Sequence, residues 1–172
     1  LYDRSEKIFK NLAENKNYKN SALEHLIKIY EVSKDWERAI DLIKSMTNKN
    51  VNGFNTDALL AQYYCEIASI YINENQLDKA IAITKKSLKT NPSCIRANLQ
   101  LAECYSSNDI GTSAQYYYSI IAQNFRFANF VVHKIINLAK KTNNTSMVLK
   151  TITSISNIKE LDFLPDVYLF LY

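Results

Sequence analysis

The side chains able to do chemistry are few and poorly placed for it. His25 and His133 stand far apart, with no HExxH helix and no cysteine at ligand spacing, so neither reads as a zinc ligand. Cys65, Cys94 and Cys104 form no CxxC knuckle and no disulfide framework; they fit small buried residues of a reducing compartment. Acidic residues are many, but none accompanies a nucleophile in a recognisable arrangement. The only glycines are Gly53 and Gly111, which excludes a GxGxxG loop, a phosphate-binding P-loop and a GxSxG elbow. The overlapping sequons at Asn143 and Asn144 read as a turn and helix cap. A net charge of +4, with lysines interspersed among acids, describes solvated helix faces rather than a nucleic-acid footprint. The segment is therefore read as non-catalytic, free of cofactor and metal, and not a nucleic-acid binder.

What must carry these residues is a set of helices. Besides the two glycines there are only two prolines, Pro92 and Pro165, which favours long helices joined by short polar turns. The phrase KDWERAIDLIKSM, from Lys34, is nearly repeated by NQLDKAIAITKKSL, from Asn75, placing Ala39 and Ala80 in register 41 residues apart. Ala114 lies 34 residues after Ala80, Ser5 lies 34 before Ala39, and Val148 lies 34 after Ala114. Ahead of each alanine comes an apolar pair and an aromatic: Leu26-Ile27 with Tyr30, Ile67-Ala68 with Tyr71, Leu101-Ala102 with Tyr105. The extra seven residues between Ala39 and Ala80 fall in the polar stretch NKNVNGFNT, read as a lengthened loop where insertions cost little.

A 34-residue period with these positions resembles the tetratricopeptide (TPR) repeat. The expected fold is all-α: a right-handed superhelical solenoid of antiparallel helix pairs. Residues 1–172 form a single array. Residues 1–17 are the second helix of a cut unit, 20–48 a repeat, 49–57 the inserted loop, 58–92 and 95–126 two further repeats. Residues 129–158 are a degenerate repeat, with Ala139 and Val148 at the signature positions, and 161–172 begin another helix. Tyr30, Tyr71 and Tyr105 fall on the core register, so the tyrosine-rich runs AQYYC and AQYYY are read as packing rather than base-stacking platforms. Tyr2, Trp36 and Leu77 share a slot expected to plug the seam between helices. First helices of a solenoid line its concave wall. In this register the wall carries Glu24, Lys28 and Glu31, then Gln62, Cys65, Ser69 and Asn73, then Arg96, Leu99, Glu103 and Ser106, then Phe130, His133, Asn137 and Lys140. Such a mixed polar surface suits a protein partner. Phe163, Leu164, Leu169, Phe170 and Leu171 are expected to favour end-to-end self-association.

A narrower resemblance lies on four stretches in order: LYDRSEKIFKNL, ALEHLIKIYEVSKDWERAIDL, AQYYCEIA and LDKAIAITKKSLKTNPSCIRANL. Together they resemble the middle of the lipopolysaccharide assembly protein B (LapB) family, best from Leu1 to about Glu103. The resemblance implies a parent with an N-terminal membrane helix, a cytoplasmic TPR array and a C-terminal rubredoxin-like metal knuckle, the first and last outside these residues. It implies an adaptor on the cytoplasmic face of the inner membrane of a Gram-negative bacterium, bringing the deacetylase LpxC to the protease FtsH. The alternative is a TPR scaffold of another cell-envelope or secretion pathway.

Overall fold

In a computed structural model, residues 2–46, 50–51, 54–143 and 146 are described. Helices α1 (Tyr2–Ala13), α2 (Lys19–Ser33), α3 (Trp36–Ser45), α4 (Thr56–Asn73), α5 (Leu77–Thr90), α6 (Ile95–Tyr105), α7 (Ile110–Gln123) and α8 (Ala128–Thr142) follow one another, with a 3-10 turn at Phe125–Phe127. The expected second helix around Val148, the helix from residue 161 and the apolar residues Phe163 to Leu171 lie outside the described residues.

Local chemistry sets where the helices start and stop. Asp35, Asn55 and Asp109 each accept a hydrogen bond from a backbone N–H three residues on, capping α3, α4 and α7. At the ends of α2, α4 and α8 the chain reverses through left-handed residues, Lys34 (φ 55°), Asn75 (φ 58°) and Asn143 (φ 50°). Two of these are asparagine, which tolerates that region better than most residues. Within the inserted stretch the described residues pair as short strands. β1 (Asn50–Val51) and β2 (Phe54–Asn55) pair antiparallel, Asn50 opposite Asn55, and deliver Asn55 to cap α4.

Packing follows the repeat. Helix α4 lies along α5 and α6 along α7, while α4 also packs on α6 and α3 on α4. The register alanines are sealed: Ala39 and Ala80 are 0% exposed and Ala114 is 1%. Small hydroxyls clasp each pair at these close approaches. Ser87 Oγ donates to the Ala61 carbonyl at 2.8 Å, joining α5 to α4, and Ser113 Oγ to the Ala102 carbonyl at 2.6 Å, joining α7 to α6. Tyr30 is buried, whereas Tyr71 and Tyr105 are half-buried with Lys79 and Lys85 over their rings. Trp36 packs against Tyr63 with the rings tilted, centroids 5.6 Å apart, in the α2–α4 core, and Leu77 is half-buried. Tyr2 departs from its expected role, standing 52% exposed, because no described helix closes over that side of α1.

The start of the array is tied by a charge network that periodicity does not show. Glu6 of α1 is almost fully buried and accepts from the Tyr30 hydroxyl at 3.0 Å, Lys10 Nζ at 2.7 Å and the Arg38 guanidinium at 2.9 Å. The Lys10 hydrogen bond, and after it those of Tyr30 and the charge of Arg38, hold the Glu6 carboxyl below its usual range in spite of burial. A carboxyl depressed in the folded state stabilises the fold above its unfolded pKa and loses that contribution as pH falls through the folded value. Glu6→Gln is thus expected to cost about 1–2 kcal/mol near pH 7. That difference from wild type should close as pH falls through and below the ordinary carboxylate range. Urea midpoints across that range measure it; a gap independent of pH would show that the Glu6 charge contributes nothing.

Candidate partner-binding wall

The first helices α2, α4, α6 and α8, on which the wall is expected, touch one another through polar side chains. Between α2 and α4, the Tyr63 hydroxyl donates to Glu31 Oε1 at 2.7 Å; burial, and then this carboxylate, push the Tyr63 phenol far above its ordinary range. Between α4 and α6, Arg96 ion-pairs with Glu66 and gives a second N–H to Ser69 Oγ at 3.3 Å. The Gln100 amide donates to Ser69 Oγ at 2.8 Å and to the Cys65 carbonyl at 2.9 Å. Between α6 and α8, Lys134 meets Glu103 at 3.0 Å and lies over the Phe130 ring at 5.5 Å.

Two hollows open on this surface. A narrow cleft of about 90 Å³ is lined by Glu24, Lys28 and Glu31 with Ile27 and Leu59, an apolar floor rimmed by both charges. A wider hollow of about 460 Å³ between α6 and α8 is lined by Glu103, Ser106, Ser107, Tyr117, Lys134, Asn137, Leu138 and Lys141. Burial, and after it the field of Glu103, push the Tyr117 phenol up to about 12, so it faces the hollow's base as a neutral donor.

Each residue expected on the wall can now be placed. Glu24, Lys28 and Glu31 share the first cleft; Glu103, Ser106 and Asn137 share the second. Gln62 and Asn73 are exposed on α4, and Phe130, His133 and Lys140 are exposed on α8. Ser69 and Arg96 are half-buried and engaged with each other. Cys65 does not belong to the surface, being 0% exposed, and Leu99 packs against the α7–α8 core. Cys65 lies in the seam beneath the start of α6, and Leu99 is half-buried against side chains of α7 and α8. The residues that bridge the seams were missed: Tyr63, Glu66, Gln100 and Lys134; so was Lys141, which only lines the wider hollow. A signal existed, since Glu66, Gln100 and Lys134 recur at the 34-residue period.

The stacked pairs define a tetratricopeptide-type helical repeat protein. Two solved TPR-like folds superpose over almost the whole chain at 13% identity, a likeness of fold. One is YrrB, a TPR protein with an unusual peptide-binding site (TM-score 0.50, covering 98% of this chain and 81% of that one). The other is BtubC from P. vanneervenii (TM-score 0.54, covering 99% and 78%). In sequence the chain is similar to lipopolysaccharide assembly protein B: 26% identical over 105 residues to that of Escherichia coli K12, covering 61% of this chain and 26% of the relative. It is 30% identical over 102 residues to that of Haemophilus influenzae, covering 59% and 25%. The chain thus spans about a quarter of the length of the curated relatives it matches. No family model matches the chain. The chain is a tetratricopeptide-type segment, similar in sequence to part of lipopolysaccharide assembly protein B.

Proposed function

We propose that this segment is a non-enzymatic adaptor in lipopolysaccharide assembly, holding a client protein on the wall of its first helices. The observation that carries the reading is the similarity to lipopolysaccharide assembly protein B over 105 residues, 61% of this chain. In this reading the partners are the deacetylase LpxC and the protease FtsH, and the parent sits on the cytoplasmic face of the inner membrane. Among the described residues no helix is long and apolar enough to cross a membrane. The mechanism is proximity: two proteins on one scaffold meet at raised effective concentration, with no bond made or broken by the scaffold itself.

The probe residues must be exposed and free of seam duties. Arg96 is unsuitable, because reversing its charge would break the Glu66 pair that joins α4 to α6. Lys28 and Lys141 are exposed, one at each hollow. Lys28→Glu with Lys141→Glu is expected to weaken LpxC binding roughly tenfold while leaving the helical circular-dichroism spectrum and melting point unchanged. Binding of LpxC by wild type, undiminished in the double variant, would remove the wall from the proposal. Absence of binding to LpxC and FtsH by wild type would favour a TPR scaffold of a different envelope pathway.

A further inference from the structure

The three cysteines are all buried and free, but they are not equivalent. Cys104 stands alone, its thiol pushed up by burial and then by the Glu103 charge. Cys65 and Cys94 face each other across the seam between two repeats, sulfur to sulfur at 3.9 Å, one in α4 and the other at the position that begins α6. Around them the lining is mixed, with Ala61, Ala97 and Leu88 packed in the same cluster and two polar side chains at the sulfurs. Ser87 Oγ lies 3.4 Å from Cys65 Sγ, and the Gln62 amide nitrogen is 3.8 Å from Cys94 Sγ. Cys65 is 0% exposed and Cys94 3%.

We propose that Cys65 and Cys94 are a reversible oxidation site, closing to an intramolecular disulfide with hydrogen peroxide as the oxidant. The geometry sets the order of events. Cys94 is the nucleophile: the Cys65 thiol can turn its proton toward it, and against the cost of burial the backbone N–H groups of Ala97 and Arg96 at the start of α6 and the Ser87 hydroxyl also favour its thiolate. The same hydrogen bond, with burial, keeps the proton on Cys65. The Cys94 thiolate attacks one peroxide oxygen, breaking the O–O bond to give Cys94 sulfenic acid and hydroxide. The Cys65 sulfur then attacks the Cys94 sulfur, losing its proton and expelling hydroxide. Overall, two thiols and one peroxide give one disulfide and two waters. A small oxidant suits a site this closed. The sulfurs must draw closer by about 2 Å to bond. The segment before α6 can supply that movement, since Pro92 and Ser93 are exposed and Cys94 is outside the helix proper. The bond would span the seam beside Gln62 and Arg96, fixing two repeats to each other.

The test treats the wild-type chain with hydrogen peroxide, then counts thiols in denaturant and maps cross-linked peptides by mass spectrometry. Loss of two of the three thiols, a Cys65–Cys94 cross-linked peptide, and full recovery with dithiothreitol are expected. The oxidised chain should also melt higher than the reduced one. Cys104→Ser should cross-link as wild type does, and Cys94→Ser should not cross-link at all. Three surviving thiols under peroxide that fully consumes a small free thiol would overturn the assignment. So would a cross-link through Cys104, or Cys94 over-oxidised with Cys65 untouched. The wild-type map decides the matter even if Cys94→Ser fails to fold.

Discussion

Truncating Leu26 to alanine should lower stability by about 2–5 kcal/mol. The side chain is 2% exposed in the cluster formed by Leu23 and Tyr30 of α2, Ile40 and Ile43 of α3, and Tyr63 of α4. Removing three carbons there forfeits apolar burial and leaves a space bounded on three sides by helices that already hold each other through Tyr63–Glu31 and Tyr30–Glu6. Collapse into that space would strain those bonds, so relaxation should be slight. Ile27, the other half of the apolar pair, is only half-buried, and Ile27→Ala should cost roughly 1–2 kcal/mol. Urea midpoints for the two variants, compared at a common slope, make the measurement. Equal losses would mean that α2 is rotated from the orientation described.

The second large effect comes from adding volume. Ala80 is 0% exposed on α5, where that helix lies along α4, and its carbonyl accepts from Thr84 Oγ1 at 2.7 Å. Ala80→Leu places three carbons where the two helices approach closely, and is expected to destabilise by about 1–3 kcal/mol through overpacking. Ala82 lies on the exposed side of the same helix, so Ala82→Leu should leave the midpoint within about 0.5 kcal/mol of wild type. The pair separates crowding from any general effect of leucine in α5. An Ala80→Leu chain that melts like Ala82→Leu would refute the register.

The alanine register is legible because sealing a small residue between helices is a demand that each repeat makes in turn, and Ala39, Ala80 and Ala114 answer it at fixed spacing. The wall was legible only to within one helical position. Periodicity says which face of a first helix is polar, but 100° of rotation separates Cys65 from Glu66 and Leu99 from Gln100. In the first pair the cysteine is the covered member, whereas in the second Gln100 is buried deeper than Leu99, its amide drawn into the seam by Ser69 and the Cys65 carbonyl. Glu6 was not legible at all. Its burial depends on Tyr30 and Arg38, which come from two later helices and meet it only when all three are assembled. The short hairpin lay within reach, since an Asn-Gly dipeptide between Val51 and Phe54 is a strong local sign of strand pairing. Two-residue strands are simply too short to alternate.

The order in which helices pack has a consequence for how the chain acquires its structure. Among the described residues, the principal contacts join each helix to the next or to the next but one. None of the described helices waits for a distant partner for its principal packing, so their loop-closure entropy is low and their folding should be fast. A chain emerging from the ribosome can dock each new helix on those already made, with α2 and α3 closing on α1 before α4 is synthesised. Synthesis and folding would then advance together, one repeat at a time, and little unpaired apolar surface would ever be held open to its neighbours.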